Sequence, residues 1–238
     1  MAFSFQPKMI TDGLVFCFDA GNTKSYPGSG TIWSDLSSTA ITGSLTNGPT
    51  FNSANGGSII FDGTNDFVDL GNRSEFAFTS GRFSIEAWVF VSSSWTAGDQ
   101  YPNLISKGAT AGWDTDGWSL FVFRDRPSTG QFTWGCGIRN GATRINPERN
   151  NFTVNQYHHI VATLNGTTCI LYEDGVQVQT ASQTVNPATS VDNVFIAKDS
   201  TPRYLPARIP IVKLYNRALS ATEVLQNYNA LKGRFGLT

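Results

Sequence analysis

The densest group of chemistry-bearing residues lies between Trp95 and Trp118, in the segment WTAGDQYPNLISKGATAGWDTDGW. Trp95, Tyr101, Trp113 and Trp118 supply flat apolar rings, and Asp99, Asp114 and Asp116 supply carboxylate oxygens. Rings that stack on C–H faces, beside acceptors that fix hydroxyls, are what recognition of a sugar requires. These seven residues are the candidate ligand-binding set. Gly98, Gly108, Gly112 and Gly117 let the same segment turn closely around a ligand. The plainer alternative is that Trp113 and Trp118 anchor strand ends in a core. The aspartates also offer oxygens to a hard cation, but Asp114-Thr115-Asp116 is only a fragment of such a site. Asp62, Asn65, Asp66 and Asp69 form a second polar cluster, for which turn chemistry at Asp62-Gly63 is a sufficient reason. No metal site is assigned.

Catalytic chemistry is poorly supplied. Retaining glycoside hydrolysis needs two carboxylates ~5–5.5 Å apart. The chain has five glutamates, Glu75, Glu86, Glu148, Glu173 and Glu223, and no two stand close along one strand. Glu86 alone sits in a strong strand, where a hydrogen-bonded structural carboxylate is the favoured reading. G-x-S-x-G, H-E-x-x-H and phosphate-loop patterns are missing from the sequence, and GCGIRNG has the wrong glycine spacing for a dinucleotide site. His158 and His159 are adjacent on a strand, point to opposite faces, and do not ligate one ion together. The expectation is a protein without catalytic residues, not an enzyme.

Composition narrows the partners. In 238 residues, 17 basic and 18 acidic side chains leave a net charge of −1, and charged residues are only 15%. A near-neutral chain lacks the positive footprint of a phosphate-backbone binder. No apolar run approaches the ~18 residues of a membrane span, and the apolar content of 40% is too high for disorder. Cys17, Cys136 and Cys169 are an odd number, each inside a strand-like segment, and read as free buried thiols. The opening MAFSFQPKM shows no charged region followed by an apolar one, so no secretory leader is expected.

The elements that must position these residues repeat with a period of two. RFSIEAWVFV carries bulk on both faces and reads as a central strand buried on both sides. LVFCFD is a strand that breaks at Ala20-Gly21, and SIIFDGTNDFVDLG makes two strands joined through Thr64–Asp66. YHHIVATL, TTCILYE and VQVQTA form a meander with turns at Asn165-Gly166 and Asp174-Gly175. NLISKG, GWSLFVF, QFTWGCGIR, NVFIAK and ARIPIVKLY bring the count to about a dozen strands, the signature of an all-β sandwich or jelly roll. One helix is expected, with a Ser220/Glu223 capping box, an apolar stripe of Val224, Leu225, Tyr228 and Leu231, and Gly233 as its stop. Beyond it, Phe235 and Leu237 beside Lys232 and Arg234 suggest docking on the domain or on a neighbouring subunit, as do Phe3 and Phe5 at the other end.

In order, FDGTNDFVDLG, FSIEAWVFV, YHHIVATLNGTTCILYEDGVQV and VKLYNRALSATEV resemble laminin-G-like, concanavalin A-like jelly rolls. The likeness runs from about Leu14 to Leu231, and the whole of 1–238 is read as one domain. DGLVFCFDAGNTKSYPGSGTIWSDLS and LQNYNALKGRFGL resemble more narrowly the laminin-G-like virion proteins of tailed bacteriophages, particularly those infecting marine cyanobacteria.

The resemblance implies two stacked antiparallel sheets, loops at the rim and an adhesive function. It further implies a virion protein assembled in the host cytoplasm, multimeric within the particle. Its partners would be other virion proteins and host-surface glycans, with no nucleic acid and no membrane insertion. The alternatives are a purely structural cement protein and a glycoside hydrolase of the same superfamily. Enzymes of that architecture carry E-x-D-x-E or E-x-D-x-x-E on one strand, which this chain lacks. No cofactor is required. Many relatives bind calcium, but Ile209-Pro210-Ile211-Val212 stands where the family often has an acidic pair, which puts a structural Ca2+ there in doubt. Pro210 donates no ladder hydrogen bond and suits an edge or a bulge.

Overall fold

The computed structural model describes residues 8–96, 98, 101–108 and 116–238. The first strands are β1 (Leu14–Asp19), β2 (Ile32–Ser34), β3 (Thr42–Thr46), β4 (Thr50–Asn52), β5 (Ser58–Asp62) and β6 (Phe67–Asp69). The middle of the chain supplies β7 (Arg82–Phe90), β8 (Asn103–Lys107), β9 (Gly117–Arg124), β10 (Phe132–Asn140), β11 (Thr143–Ile145) and β12 (Glu148–Asn150). The last are β13 (Tyr157–Asn165), β14 (Thr168–Glu173), β15 (Val176–Ser182), β16 (Val194–Ile196) and β17 (Pro206–Tyr215), before helix α1 (Ala221–Leu231). All the strand pairings are antiparallel. One sheet runs β15-β14-β13-β7-β17-β5-β4 with β1 against β17, and the other β11-β10-β9-β8-β16-β6-β3-β2 with β12 against β10. The fold is the expected two-sheet sandwich with a single short C-terminal helix.

Alternation decides what lies between the sheets. Phe83, Ile85, Ala87 and Val89 of β7 join one continuous core with Leu120 and Val122 of β9 and Ile160 and Ala162 of β13. The other face of β7 is also buried, because α1 and a 3-10 turn at Lys232–Phe235 lie across it. Trp88 there stacks on Phe235 at 4.3 Å and on Tyr228 at 5.8 Å. Phe235 thus docks on its own domain. Turn chemistry fits the meander: Asp174 (φ 52°) and Gly175 (φ 79°) both take the left-handed angles of a primed hairpin turn.

Two expectations about details need correcting. Leu225 is exposed, and Asn227 takes the buried place on the helix instead. The reason is a polar layer beneath α1: Asn227 donates to Glu86 Oε2 (2.7 Å) and to the Tyr215 hydroxyl (3.1 Å), and accepts from the Ile10 amide (2.8 Å). Gly233 does not end the helical segment; the left-handed residue that does is Gly236 (φ 74°), after the 3-10 turn. The strands flanking Thr64–Asp66 belong to different sheets, so that connection crosses from one layer to the other. Pro210 sits at a register shift between Arg208 and Ile211, and its carbonyl accepts from the Ala20 amide (2.8 Å). That is the bulge its missing N–H favours.

Candidate binding site

The register of the strands sorts the connections into two ends. Phe90 of β7, Arg208 of β17, Tyr157 of β13 and Ile60 of β5 lie side by side at one end, the rim. β8 starts at that rim and runs away from it, and β9 returns: Asn103 pairs with Phe121 and Lys107 with Trp118. The segment from Trp95 to Trp118 is therefore divided between opposite ends of the sandwich. Trp95 and Tyr101 are at the rim, whereas Asp116 and Trp118 open β9 at the far end. The eight residues of β9 span roughly 25 Å of extended chain. One ligand of monosaccharide size does not meet both groups.

Individually, the candidates fall into distinct roles. Trp118 is 1% exposed, and its indole N–H donates to the Phe76 carbonyl (3.1 Å), so its ring belongs to the core. Asp116 accepts from the Gly141 amide (2.7 Å), tying two far-end loops together. Tyr101 is exposed, with its ring edge-on to Phe123 at 5.3 Å. Trp95 is only 5% exposed; its ring packs on Phe132 at 5.7 Å and lies under the Arg124 guanidinium at 5.8 Å. Among the described residues its indole nitrogen has no hydrogen-bond partner. Asp99, Trp113 and Asp114 lie outside the described residues.

Around Trp95 the rim opens into two clefts. The larger, of about 400 Å³, lies between the end of β5, the start of β17 and the loop that follows β7. Phe90, Ser92, Ser94, Trp95 and Thr96 line it together with Asp62, Pro206 and Arg208. The smaller, of about 370 Å³, lies on the other side of Trp95, with Arg124, Asp125, Thr129 and Phe132. Local hydrogen bonds fix the loop between them. The Ser92 and Ser94 hydroxyls are 2.7 Å apart, and the Ser94 amide donates back to Ser92 Oγ (3.1 Å). Asn155 clasps the loop twice, accepting from the Ser93 amide (2.9 Å) and donating to Ser93 Oγ (3.0 Å). Its own amide donates to the Val91 carbonyl (2.8 Å).

Charge in the larger cleft is uneven. The Arg208 guanidinium lies 4.8 Å over the Phe90 ring, and among the described residues it makes no hydrogen bond or ion pair. Asp62 faces the same space, but its Oδ1 accepts from the Thr64 amide (2.8 Å) and, at the longer distance of 3.5 Å, from the Asn65 amide. Arg124 in the smaller cleft is engaged, donating to the Gly98 carbonyl (3.2 Å) and lying 3.6 Å from Asp125. Arg208, Phe90, Ser92, Ser94 and Thr96 were not among the sequence candidates. Ser92–Thr96 directly follow the strongest strand, which was a usable signal; Arg208 left none, because only strand pairing brings it there.

Two further titratable clusters join strands and helix. Glu86 is fully buried, 2.6 Å from Lys213 Nζ and 3.1 Å from His159 Nε2. Burial pushes its pKa up, but the Lys213 and His159 charges outweigh that and hold it at about 2. A carboxylate ionised at neutral pH and sealed beneath a helix reaches no substrate. His158 turns to the opposite face from His159, as adjacent strand residues must. It meets Asp174 Oδ2 at 2.8 Å through Nδ1, and Thr153 Oγ1 at 2.8 Å through Nε2. With Glu173 these residues are the one three-ligand group among the described residues close enough to hold a metal. Glu173 already accepts from the Trp134 indole (2.8 Å) and Asp174 from the His159 amide (2.8 Å), so the cluster's atoms are engaged in joining strands.

The comparisons agree with this architecture. Residues 62–225 match the Laminin_G_3 model, described as the concanavalin A-like lectin/glucanases superfamily. No curated protein sequence matches the chain. Among solved structures, the binding domain of Paraclostridial mosquitocidal protein 1 is similar with a TM-score of 0.68 at 16% identity, over 92% of this chain and 52% of that one. Trypanosoma rangeli sialidase in complex with sialic acid gives 0.66 at 17% identity, over 95% of this chain and 34% of that one. Domain 4 of AbnA, an extracellular arabinanase from Geobacillus stearothermophilus in complex with arabinotriose, gives 0.66 at 12% identity, over 90% and 98%. The chain thus spans about half the length of the first and a third of the second. With its two antiparallel sheets, its helix and the match over most of its length, the chain belongs to the concanavalin A-like lectin/glucanase superfamily.

Proposed function

We propose that the protein is a non-enzymatic, saccharide-binding adhesion module whose ligand lies in the larger rim cleft. The observation that carries this reading is the composition of that cleft: Ser92, Ser94 and Thr96, with their three hydroxyls, line it together with Phe90 and Trp95. Hydroxyl donors next to apolar ring carbons match the alternation of hydroxyls and C–H faces on a sugar. Among the described residues Asp62 is the one carboxylate that lines it, and acid–base hydrolysis needs two. The arabinotriose complex of the AbnA domain supports oligosaccharide binding as a use of this fold. The opening and closing stretches of the sequence support a place on a tailed-phage particle, among other virion proteins and facing host glycans.

Filling the cleft tests the reading. Ser94→Trp places a bulky ring in the space while leaving both sheets untouched. On a glycan panel the wild-type protein is expected to bind at least one oligosaccharide without consuming it, and the variant to lose that binding at an unchanged melting temperature. Release of reducing sugar, or binding untouched by the variant, would refute the proposal.

A further inference from the structure

Arg208 is the group in the rim cleft that the protein itself leaves unused. Its guanidinium lies over Phe90 at 4.8 Å, and among the described residues no carboxylate or carbonyl takes its donors. The other half-buried arginines among the described residues are committed. Arg126 is bidentate with Glu148 (2.8 and 2.9 Å), Arg217 with Glu223 (2.7 and 3.0 Å), and Arg234 pairs with Asp19 (2.7 Å). Stacking on an aromatic face fixes the plane of the guanidinium and leaves its N–H edge open, and that edge matches a carboxylate bidentately.

Resting on the saccharide-binding reading, we infer that the rim cleft selects sugars carrying a carboxylate, such as a uronic or sialic acid unit. The carboxylate takes the edge of the Arg208 guanidinium, and the Ser92, Ser94 and Thr96 hydroxyls take the sugar's own hydroxyls. Asp62 is the acidic group that opposes this charge. Its carboxylate is partly engaged in the Thr64–Asn65 turn, and it lines the same cleft as Arg208. It therefore weakens the attraction for an acid and discriminates against a ligand carrying several negative charges side by side.

The test uses the whole chain and paired probes: oligogalacturonate, oligoguluronate and sialyllactose, each beside its carboxyl-reduced neutral counterpart. Titration calorimetry at low salt is expected to show at least one acidic member binding about tenfold or more tighter than its neutral partner, the size of one charge-assisted contact. Arg208→Gln should erase that difference, Arg208→Lys should keep part of it, and Asp62→Asn should enlarge it. Melting curves establish that each variant is folded. Equal binding of acidic and neutral partners, or an acid preference that survives Arg208→Gln, overturns the inference and leaves saccharide binding standing. Absence of binding to every probe, acidic and neutral, overturns both.

Discussion

At the scale of single residues, the chemistry divides into groups the fold seals and groups it presents. The thiols are sealed: Cys17, Cys136 and Cys169 are all buried and free. Burial pushes the Cys17 thiol up to about 12. The Cys136 thiol is raised well above its usual range by its contact with Cys169 and by burial. Thiolate is the reactive form. A thiol-specific chromogenic reagent at pH 8 is therefore expected to label none of the three in the native protein and all three in denaturant. Rapid native labelling of any one would show that the sandwich opens far more readily than its packing implies. The presented groups are Arg208 and the Ser92–Thr96 hydroxyls. Of the seven candidates, Trp95 is the one among the described residues that lines the larger cleft.

At the scale of elements, α1 works as a cover over a polar layer. Asn227 joins Glu86, Tyr215 and the Ile10 amide, so it links the helix to β7, β17 and the segment before β1. Asn227→Ala leaves one Glu86 oxygen and the Ile10 amide without their partners, at a cost of roughly 1–3 kcal/mol for each buried group. Urea unfolding should show a loss of about that size with an unchanged slope; a neutral result would mean that water replaces the amide. The helix itself was legible from its capping box, and the meander from Asn-Gly and Asp-Gly, because both depend on neighbours in sequence. The identity of its buried face was not legible, since a 3.6 period marks Leu225 as apolar but says nothing of a carboxylate on β7. The same limit applied to the binding site. Clustering along the chain suggested one binding region around the short NLISKG strand, and the antiparallel turn-around of β8 and β9 puts Trp95 and Tyr101 at one end and Asp116 and Trp118 at the other. Arg208, more than a hundred residues from Ser94, became a neighbour only through the β7–β17 pairing.

At the scale of the whole molecule, two carboxylates couple stability to pH. Glu86 and Glu223 both have ordinary values near 4.5 and are held at about 2 in the fold. For Glu223 the Arg217 hydrogen bonds are the main cause. A depressed folded-state pKa contributes stability that is complete above the unfolded value and is lost as pH falls through the folded one. Thermal stability is therefore expected to hold level above about pH 5 and to decline between about 4.5 and 2, with Glu86→Gln removing part of that slope. A profile as steep in the variant as in the wild type would assign acid lability to other groups.

The clasp of Asn155 on Ser93 has a bearing on how a ligand arrives. Because one wall of the rim cleft is already tied to the adjoining loop and rooted by a buried tryptophan, that wall stands in place before any encounter. Little conformational entropy remains to be lost there, so weak individual contacts convert more fully into residence time. A surface that meets its target repeatedly and briefly gains from such readiness, since each collision is tried against a shape that needs no time to form.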